Sequence, residues 1–341
     1  MRTEVSKFGL IQASSVSDAI SLLSQYGPDQ AKIISGGSDI ISRNKNRIAT
    51  SLPKYLIDIS GLGLNYLNFS QKSGFTIGGT AVINDVATDP NVNAYAQVLA
   101  QAATSVATLQ IRNVGTIGGD LLQEVWCPYY RNNYDCWRNG GNVCYGAIGD
   151  NRYYHSIFGG RLCYAVHAGD IAPALLALGA TATIQGPGGS RTVTIDELIP
   201  GITVINGVVK ENTVAYNEIL TQVNIPTPAS GSLSTYYKVR ERGTWDFALA
   251  SAAVVLGMSG GNISSASVVL GGVDVKPHRA TEAESYLIGK SLNETTYTGA
   301  GQAAVSGNTP LTYGTGNAYR VQLAIGAVKK ALRSLGNPSP S

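Results

Sequence analysis

The chain has 341 residues, of which 44% are hydrophobic and only 14% are charged, so it is long enough for two or three domains and can bury a large core. Twenty-five basic residues nearly balance 22 acidic ones, and the absence of a long basic run argues against nucleic-acid binding. The N-terminus lacks the apolar core of a signal peptide and no window approaches about 18 uninterrupted apolar residues, so we expect a cytoplasmic chain without a transmembrane segment, or one exported with a signal-bearing partner.

The first third of the sequence predicts alternating helices and strands. A short amphipathic helix is expected from Ser17 to Tyr26, capped by Ser17 or Asp18 and stopped by the Gly-Pro pair that follows. The segment AKIISGGSDII predicts a strand that enters a tight turn at two glycines, and YLIDIS and FTIGGT predict further strands. Residues 89–108 predict a helix with an Asp-Pro start.

The remainder begins with RNVGTIGGDLL, a second apolar segment broken by paired glycines, and continues into an irregular loop insertion over 125–160. Residues 171–180 predict a helix, ATIQGPGGSRTVTIDEL a β-hairpin and ILTQVNIP a strand. After the linker TPASGSLS, the segments YYKVRERG and FALASAAVVLGM open a C-terminal α+β domain that ends in the helix AYRVQLAIGAVKKAL.

The two glycine pairs have the same layout and form the first candidate site. Glycine permits positive φ and close approach of a ligand, and successive backbone N–H groups can form a concave site for a pyrophosphate. The alternative is that both pairs are ordinary tight turns, and neither matches the G-x-G-x-x-G of a nicotinamide-binding domain. The residues concerned are Ile34, Ser35, Gly36, Gly37, Ser38, Asp39 and Ile40 in the first segment, and Thr116, Gly118, Gly119 and Asp120 in the second.

The only four cysteines lie within 37 residues, at Cys127, Cys136, Cys144 and Cys163. Disulfides would require an oxidising compartment, which no secretion signal supports. Structural zinc usually uses closely spaced cysteine pairs, which are absent here. Four thiolates are also the expected ligands of a [4Fe–4S] cluster, and from spacing alone this third interpretation ranks narrowly first.

Four segments together carry a family resemblance: GGSD at the first glycine pair, QIRNVGTIGGD, HAGDIAPALLALGA, and the C-terminal GGVDVKPHRATEAESYLIGKSL. The sequence resembles the FAD-binding subunits of the xanthine dehydrogenase and carbon monoxide dehydrogenase class over nearly its whole length. This resemblance implies an α+β fold, with a two-subdomain FAD-binding domain of the PCMH type followed by an α+β C-terminal domain of the CO dehydrogenase flavoprotein type. The expected domains span 1–228, with subdomains of about 1–58 and 59–228 and a cysteine-rich insertion at 125–163, and 232–336.

The resemblance also implies roles for individual residues. Residues 34–40 and 116–120 would hold the FAD pyrophosphate, Asp170 would bond ribityl or ribose hydroxyls, and Lys238 would lie near the flavin ring. Asp170 also directly precedes a predicted helix, where it can act as an N-cap. Lys238 can equally be a solvated lysine on a strand.

For the cysteines, the resemblance is to a subgroup similar to aldehyde oxidoreductase and 4-hydroxybenzoyl-CoA reductase, which carries a [4Fe–4S] cluster in this subunit. It implies that Cys127, Cys136, Cys144 and Cys163 are the cluster ligands. His155 and His167 lie in the same region, where hydrogen bonding or packing is the more common role of histidine. The loop also contains Tyr129, Tyr130, Tyr145, Tyr153 and Tyr154. These tyrosines would shield a cluster or form an interface.

At the level of function, the resemblance implies an oxidoreductase subunit that passes electrons through FAD to an external acceptor. The molybdenum cofactor would lie on a large partner subunit and [2Fe–2S] clusters on a small one, and heterotrimers would be able to pair into dimers. No catalytic residue is assigned, because no motif pairs a nucleophile with a base. The alternatives are a stand-alone FAD-dependent oxidase with its own substrate site, and a non-enzymatic metal-bound scaffold.

Overall fold

The computed structural model describes residues 5–48, 52–205 and 208–336. The N-terminal elements are β1 (Gly9–Gln12), α1 (Val16–Tyr26), β2 (Ala31–Ile34), α2 (Ile40–Asn46) and β3 (Tyr55–Asp58). The three strands form a parallel sheet in the order β1-β3-β2, and the central strand carries the fully buried Leu56 and Ile57. Because parallel strands need crossover connections, the chain leaves each of the first two strands through a helix or turn before it returns.

A five-stranded antiparallel sheet, in the order β4-β5-β10-β6-β7, and its covering helices form the middle of the chain. These elements, with a separate β8–β9 hairpin, are β4 (Leu67–Ser70), β5 (Gly74–Gly78), α3 (Ile83–Thr88), α4 (Pro90–Tyr95), α5 (Gln97–Ser105), α6 (Leu109–Arg112), α7 (Ile117–Leu122), α8 (Pro128–Arg131), α9 (Tyr145–Ile148), α10 (Ile171–Ala177), β6 (Thr181–Gly186), β7 (Gly189–Thr194), α11 (Ile195–Leu198), β8 (Thr203–Ile205), β9 (Val208–Lys210) and β10 (Ile219–Ile225). One hydrophobic core joins Ile77 and Val223 of the sheet to Leu99 and Ile171 of the helices.

The C-terminal part is an antiparallel sheet with helices on one face. Its elements are β11 (Leu233–Val239), β12 (Ala250–Ser259), β13 (Asn262–Gly271), β14 (His278–Arg279), α12 (Thr281–Leu287), α13 (Glu294–Ala303) and α14 (Tyr319–Gly336). Along β12, Val254 packs in the core with the C-terminal helices, whereas the neighbouring Ala253 packs in the core of the middle part. Successive side chains of a strand point to opposite faces, so both faces of this sheet are buried. The separate antiparallel sheets and their helices confirm the predicted α+β class.

The segment between α7 and α10 contains only α8, one 3₁₀ turn at Trp137–Asn139 and α9. It has a small core of its own, in which three of the cysteines pack with Ile48, Val125 and Val209. The fully buried Arg320 of α14 fixes the segment to the C-terminal sheet, because its guanidinium donates to the carbonyls of His155, Leu249 and Gly272.

The structure corrects several details of the sequence predictions. The cap of α1 is Ser15, whose hydroxyl accepts from the Asp18 N–H at 3.0 Å, rather than Ser17 or Asp18. The helix predicted over 89–108 is broken at Ala96, and the break allows the Val98 N–H to donate to Ser234 Oγ of β11 at 3.2 Å. Helix α2 was not predicted. Within the described ranges, no helix is both long and apolar enough to cross a membrane.

Candidate functional site

Two cavities adjoin between the N-terminal sheet and the middle of the chain, with volumes of about 220 Å³ (the first cavity) and about 230 Å³ (the second cavity). Because they share lining residues, they form one cleft. The shared residues are Ser38, Asp39, Thr116, Gly119 and Gln123. The whole segment 34–40 lines the second cavity with Gly118, whereas Asp120 and Asp170 line the first.

The first glycine pair forms the turn between β2 and α2. Gly37 has φ of +75°, a left-handed conformation that favours glycine, and a Cβ on Gly36 would lie 1.8 Å from the Val114 carbonyl oxygen. Within the described part of the chain, the backbone N–H groups of Gly36, Gly37, Ser38 and Asp39 donate to no other protein group. Since these N–H groups line the second cavity, they are available to an anionic ligand.

The second glycine pair is different, because it lies in the first turn of α7. Thr116 caps this helix by accepting from the Gly119 N–H at 3.1 Å, and the Gly118 N–H donates to the Gly79 carbonyl at 3.0 Å. A Cβ on Gly118 would come within 2.7 Å of that same carbonyl, whereas a Cβ on Gly119 would meet only the Thr116 hydroxyl, at 3.0 Å. This pair therefore offers close approach of a ligand, while its N–H groups are already bonded.

Apolar and aromatic side chains wall the first cavity: Ile83, Val106, Ala107, Ile111, Trp126, Trp245 and Phe247. A hydrogen bond connects two walls of this cavity, because the Trp245 N–H donates to the Ala107 carbonyl at 3.0 Å. Phe247 packs on Trp126, with ring centroids 4.9 Å apart. Such walls suit a flat aromatic ligand. These residues were not predicted from the sequence, although the aromatic TWDF directly after YYKVRERG was an available signal.

Asp120 and Asp170 are both buried at the inner end of the first cavity. Asp120 Oδ2 accepts from the Ile171 N–H at 3.1 Å and so caps α10, whereas Asp170, at the N-cap position itself, makes no side-chain cap bond. Burial, followed by the nearby Asp170 carboxylate, raises the pKa of Asp120 to about 7.

Asp170 is instead held by the C-terminal sheet. Tyr236 donates its hydroxyl to Asp170 Oδ1 at 2.8 Å, and the Lys238 ammonium donates to Oδ2 at 2.6 Å and to the Ser105 carbonyl at 3.0 Å. The Lys238 side chain is only 3% exposed, so it is not a solvated lysine. It does not line either cavity of the cleft. Its contact with the cleft is through Asp170.

All four cysteines line a separate small cavity together with Tyr129, Tyr130, Tyr145 and Trp137, and none forms a disulfide in the structure. Arg138 Nε donates to Cys163 Sγ at 3.2 Å, and the Ala165 N–H donates to the same sulfur at 3.4 Å. Burial raises the pKa of the Cys127 thiol to about 12. A hydrogen bond from Cys144 and the Arg138 guanidinium hold the pKa of Cys163 well below its usual range, against the effect of its burial.

The two histidines of this region have different surroundings. His155 Nε2 lies 3.4 Å from Cys127 Sγ. Burial lowers the pKa of His155 to about 4. His167 is buried away from the cysteine cavity, and its Nε2 lies 3.2 Å from the Leu121 carbonyl oxygen. In the described ranges, no three His, Cys, Asp or Glu side chains converge to hold a single metal ion.

Comparison with known proteins matches both parts of the chain. Residues 6–228 match the FAD binding domain in molybdopterin dehydrogenase, and residues 235–335 match the CO dehydrogenase flavoprotein C-terminal domain. The chain is 34% identical over 262 residues to the aldehyde oxidoreductase FAD-binding subunit PaoB of Escherichia coli, covering 75% of this chain and 79% of the relative. It is 30% identical to the carbon monoxide dehydrogenase medium chain of Hydrogenophaga pseudoflava, covering 94% of each.

Solved structures agree with these matches. A chain of reconstituted CO dehydrogenase from Oligotropha carboxidovorans superimposes with a TM-score of 0.77 at 26% identity, covering 99% of this chain and 100% of that one. Carbon monoxide dehydrogenase from Hydrogenophaga pseudoflava gives a TM-score of 0.74 at 28% identity, with 98% of each chain covered.

Proposed function

We propose that this chain, which belongs to the family of FAD-binding subunits of molybdopterin dehydrogenases, binds one FAD along the cleft and serves as the electron-transfer subunit of a multi-subunit molybdenum-type hydroxylase. The observation that carries the proposal is the set of unpaired N–H groups at Gly36 to Asp39, where the two cavities meet. A dinucleotide has a pyrophosphate between two ring systems. The cleft matches this layout, because the unpaired N–H groups would form an anion site between the first and second cavities.

The residues of the cleft divide the binding between them. The backbone N–H groups of residues 36–39 would hold the pyrophosphate, with the hydroxyls of Ser35 and Ser38 beside them. The absence of a side chain at Gly119 leaves room for the ligand to pass between the cavities. The aromatic walls of the first cavity would take the flavin ring and exclude water from it.

Asp170 is the candidate for bonding flavin hydroxyls. Each of its carboxylate oxygens accepts one bond from β11, so each retains further acceptor capacity. Lys238 would then orient and charge-balance Asp170 rather than contact the flavin ring directly. Bound FAD would supply the capacity to accept electrons as a pair and release them singly.

We also propose that the four cysteines hold a [4Fe–4S] cluster. All four line one cavity, as thiolates that ligate a single cluster must. Their spacing in the sequence lacks the close cysteine pairs that structural zinc usually uses, which favours a multi-iron cluster over a zinc ion. The N–H groups of Arg138 and Ala165 that donate to Cys163 would stabilise its thiolate form. The surrounding tyrosines would limit the access of water.

The partners follow from the relatives. One is named a medium chain of carbon monoxide dehydrogenase, and another is named a subunit of a 6-hydroxypseudooxynicotine dehydrogenase complex. For this chain we propose a large subunit with the molybdenum cofactor and a small [2Fe–2S] subunit, from which electrons reach the FAD. A stand-alone oxidase is disfavoured, because the chain matches such a medium chain over 94% of both lengths.

A visible spectrum of the purified chain tests the proposal when it is combined with two glycine variants. We expect two resolved flavin bands with broader cluster absorption beneath them. Gly119→Val places a side chain in the cleft. It should lower FAD affinity at least about tenfold, because the added side chain occupies space that the ligand needs. The matched control is Gly188→Val, on the exposed turn between β6 and β7, where an added Cβ meets nothing within 4 Å. Wild-type flavin content in Gly119→Val would show that the site lies elsewhere.

A further inference from the structure

Arg131 lies between the cysteine segment and the cleft. Its side chain is 7% exposed, and Nη2 donates to Asp39 Oδ1 at 2.8 Å and to the Glu124 carbonyl at 2.9 Å. Nε donates to the Val125 carbonyl at 2.9 Å, and the guanidinium stacks on the Trp126 ring at 4.0 Å. One buried side chain thus contacts both the glycine turn of the second cavity and an aromatic wall of the first.

The other end of this connection is Cys127. Helix α8 begins directly after Cys127, and the Arg131 N–H donates to the Cys127 carbonyl at 3.0 Å. Arg131 therefore follows the cysteine by one helical turn, a short and stiff connection. Any group that fixes the Cys127 sulfur also fixes the position from which the guanidinium reaches Asp39.

A second contact strengthens the hold on the glycine turn. The remaining carboxylate oxygen of Asp39, Oδ2, accepts from the Glu124 N–H at 3.0 Å, and the Glu124 carboxylate pairs with Arg43 of α2 at 2.7 Å. The turn and the helix after it are thus held at two points by residues 124–131. Since the N–H groups of residues 36–39 donate to no group among the described residues, we expect their alignment to depend on these outside contacts.

We propose that Arg131 is a positioning residue that makes flavin binding at the glycine turn depend on occupancy of the cysteine cavity. The inference rests on the proposed function, since that function supplies both cofactors. With a cluster bound, Cys127 is fixed, Arg131 holds Asp39, and the four N–H groups converge. Without it, the segment from Cys127 onward relaxes, Asp39 loses its charged partner, and the N–H groups lose their common direction. The two sites are therefore linked by a coupling free energy, and each cofactor favours binding of the other.

The experiment measures iron content and the dissociation constant for FAD in the full chain, before and after the cluster is removed with an oxidant and a chelator. Removal from the wild type should weaken FAD binding by about tenfold, within the range typical of coupled sites. Arg131→Lys keeps the charge but loses the planar fork that bonds Asp39 and two carbonyls together. It should weaken FAD binding to a similar extent while iron content stays at the wild-type level. Removing the cluster from this variant should then add little, because the connection is already broken.

The control is Arg152→Lys, in the same segment. Arg152 pairs with Asp150 at 2.8 Å, but both side chains are at least half exposed, so neither FAD affinity nor iron content should change.

The outcomes separate the claim of a cluster from the claim of coupling. Wild-type chain that binds FAD but no iron overturns the cluster and with it the coupling. Wild-type chain that binds both, with FAD affinity unchanged by cluster removal and by Arg131→Lys, overturns the coupling alone. Equal and additive losses from the two changes would also overturn it, because independent effects add.

Discussion

Replacing Asp120 with Asn should change how the stability of the chain depends on pH. Asp120 is 6% exposed, accepts from the Ile171 N–H at 3.1 Å, and accepts from the Gln123 amide at 3.0 Å. Asn has the same shape and keeps an oxygen that can cap α10, but it does not titrate. The substitution therefore removes one proton-binding group with little change in packing.

The size and sign of the effect follow from the pKa of Asp120, which is raised from 3.8 to about 7 in the folded chain. Between these values the folded state holds a proton that the unfolded state has released, so the free energy of unfolding falls by about 1.4 kcal/mol per pH unit. Over a shift of roughly three units, the contribution amounts to about 4 kcal/mol. It is fully present below pH 4 and is lost as the pH rises through about 7, the direction for a raised pKa.

The assay is urea unfolding of the flavin-depleted full chain from about pH 4 to pH 8, so that bound ligand does not contribute. The free energy of unfolding of wild type minus that of Asp120→Asn should decrease steadily across this range. Asp85→Asn, at an exposed position in the first turn of α3, is the matched control for exchanging a carboxylate for an amide. A constant difference for Asp120→Asn would refute the assignment of a raised pKa to this carboxyl.

Three further substitutions test other parts of the structure. Cys144→Ala should remove iron and the broad visible absorption while flavin stays bound at saturating FAD; iron retained at the wild-type level would contradict the cluster. Arg320→Met should lower the free energy of unfolding by about 3 kcal/mol or more, since it removes the guanidinium donor of three buried carbonyls, of which, among the described residues, only that of His155 keeps another side-chain donor, Asn317; urea unfolding would detect this loss. Thr194→Ala removes the hydroxyl that caps α11 by accepting from the Glu197 N–H at 3.2 Å and should cost about 1 kcal/mol by the same measurement, whereas no change would show that the cap does not contribute.

Local patterns were sufficient for the first glycine segment and the hairpin. A β-branched run that ends on two glycines predicts a strand entering a turn, and β2 ends at Ile34 directly before the turn. The hairpin predicted around Gly186 to Gly189 forms with those two glycines paired across it. Each of these features depends on neighbouring residues, whose preferences can be judged without the rest of the fold.

Contacts between distant residues were not predictable in this way. Lys238 and Asp170 were named separately, but 68 positions separate them, and only the packing of the C-terminal sheet against α10 brings them together. Arg131 and Asp39 are 92 positions apart, and neither stands in a recognisable motif with the other. The aromatic residues of the first cavity likewise come from two separate loops, one between α7 and α8 and the other between β11 and β12. Such pairings depend on the tertiary arrangement, which periodicity does not specify.

The two glycine pairs show where a local signal was present but was not used. The residue three positions before the second glycine is Thr116 in one segment and Ile34 in the other. A threonine at that distance can cap a helix and accept the N–H of Gly119, as it does at 3.1 Å. Isoleucine has no acceptor to offer, so the N–H of Gly37 stays unpaired within the described chain. The Thr116 hydroxyl thus accounts for the difference at the second glycine of each pair. At the first glycine the difference is tertiary, because the Gly118 N–H donates to the Gly79 carbonyl. We therefore propose residues 36–39 as the anion site of the cleft, with open space at Gly119 as the contribution of the second pair.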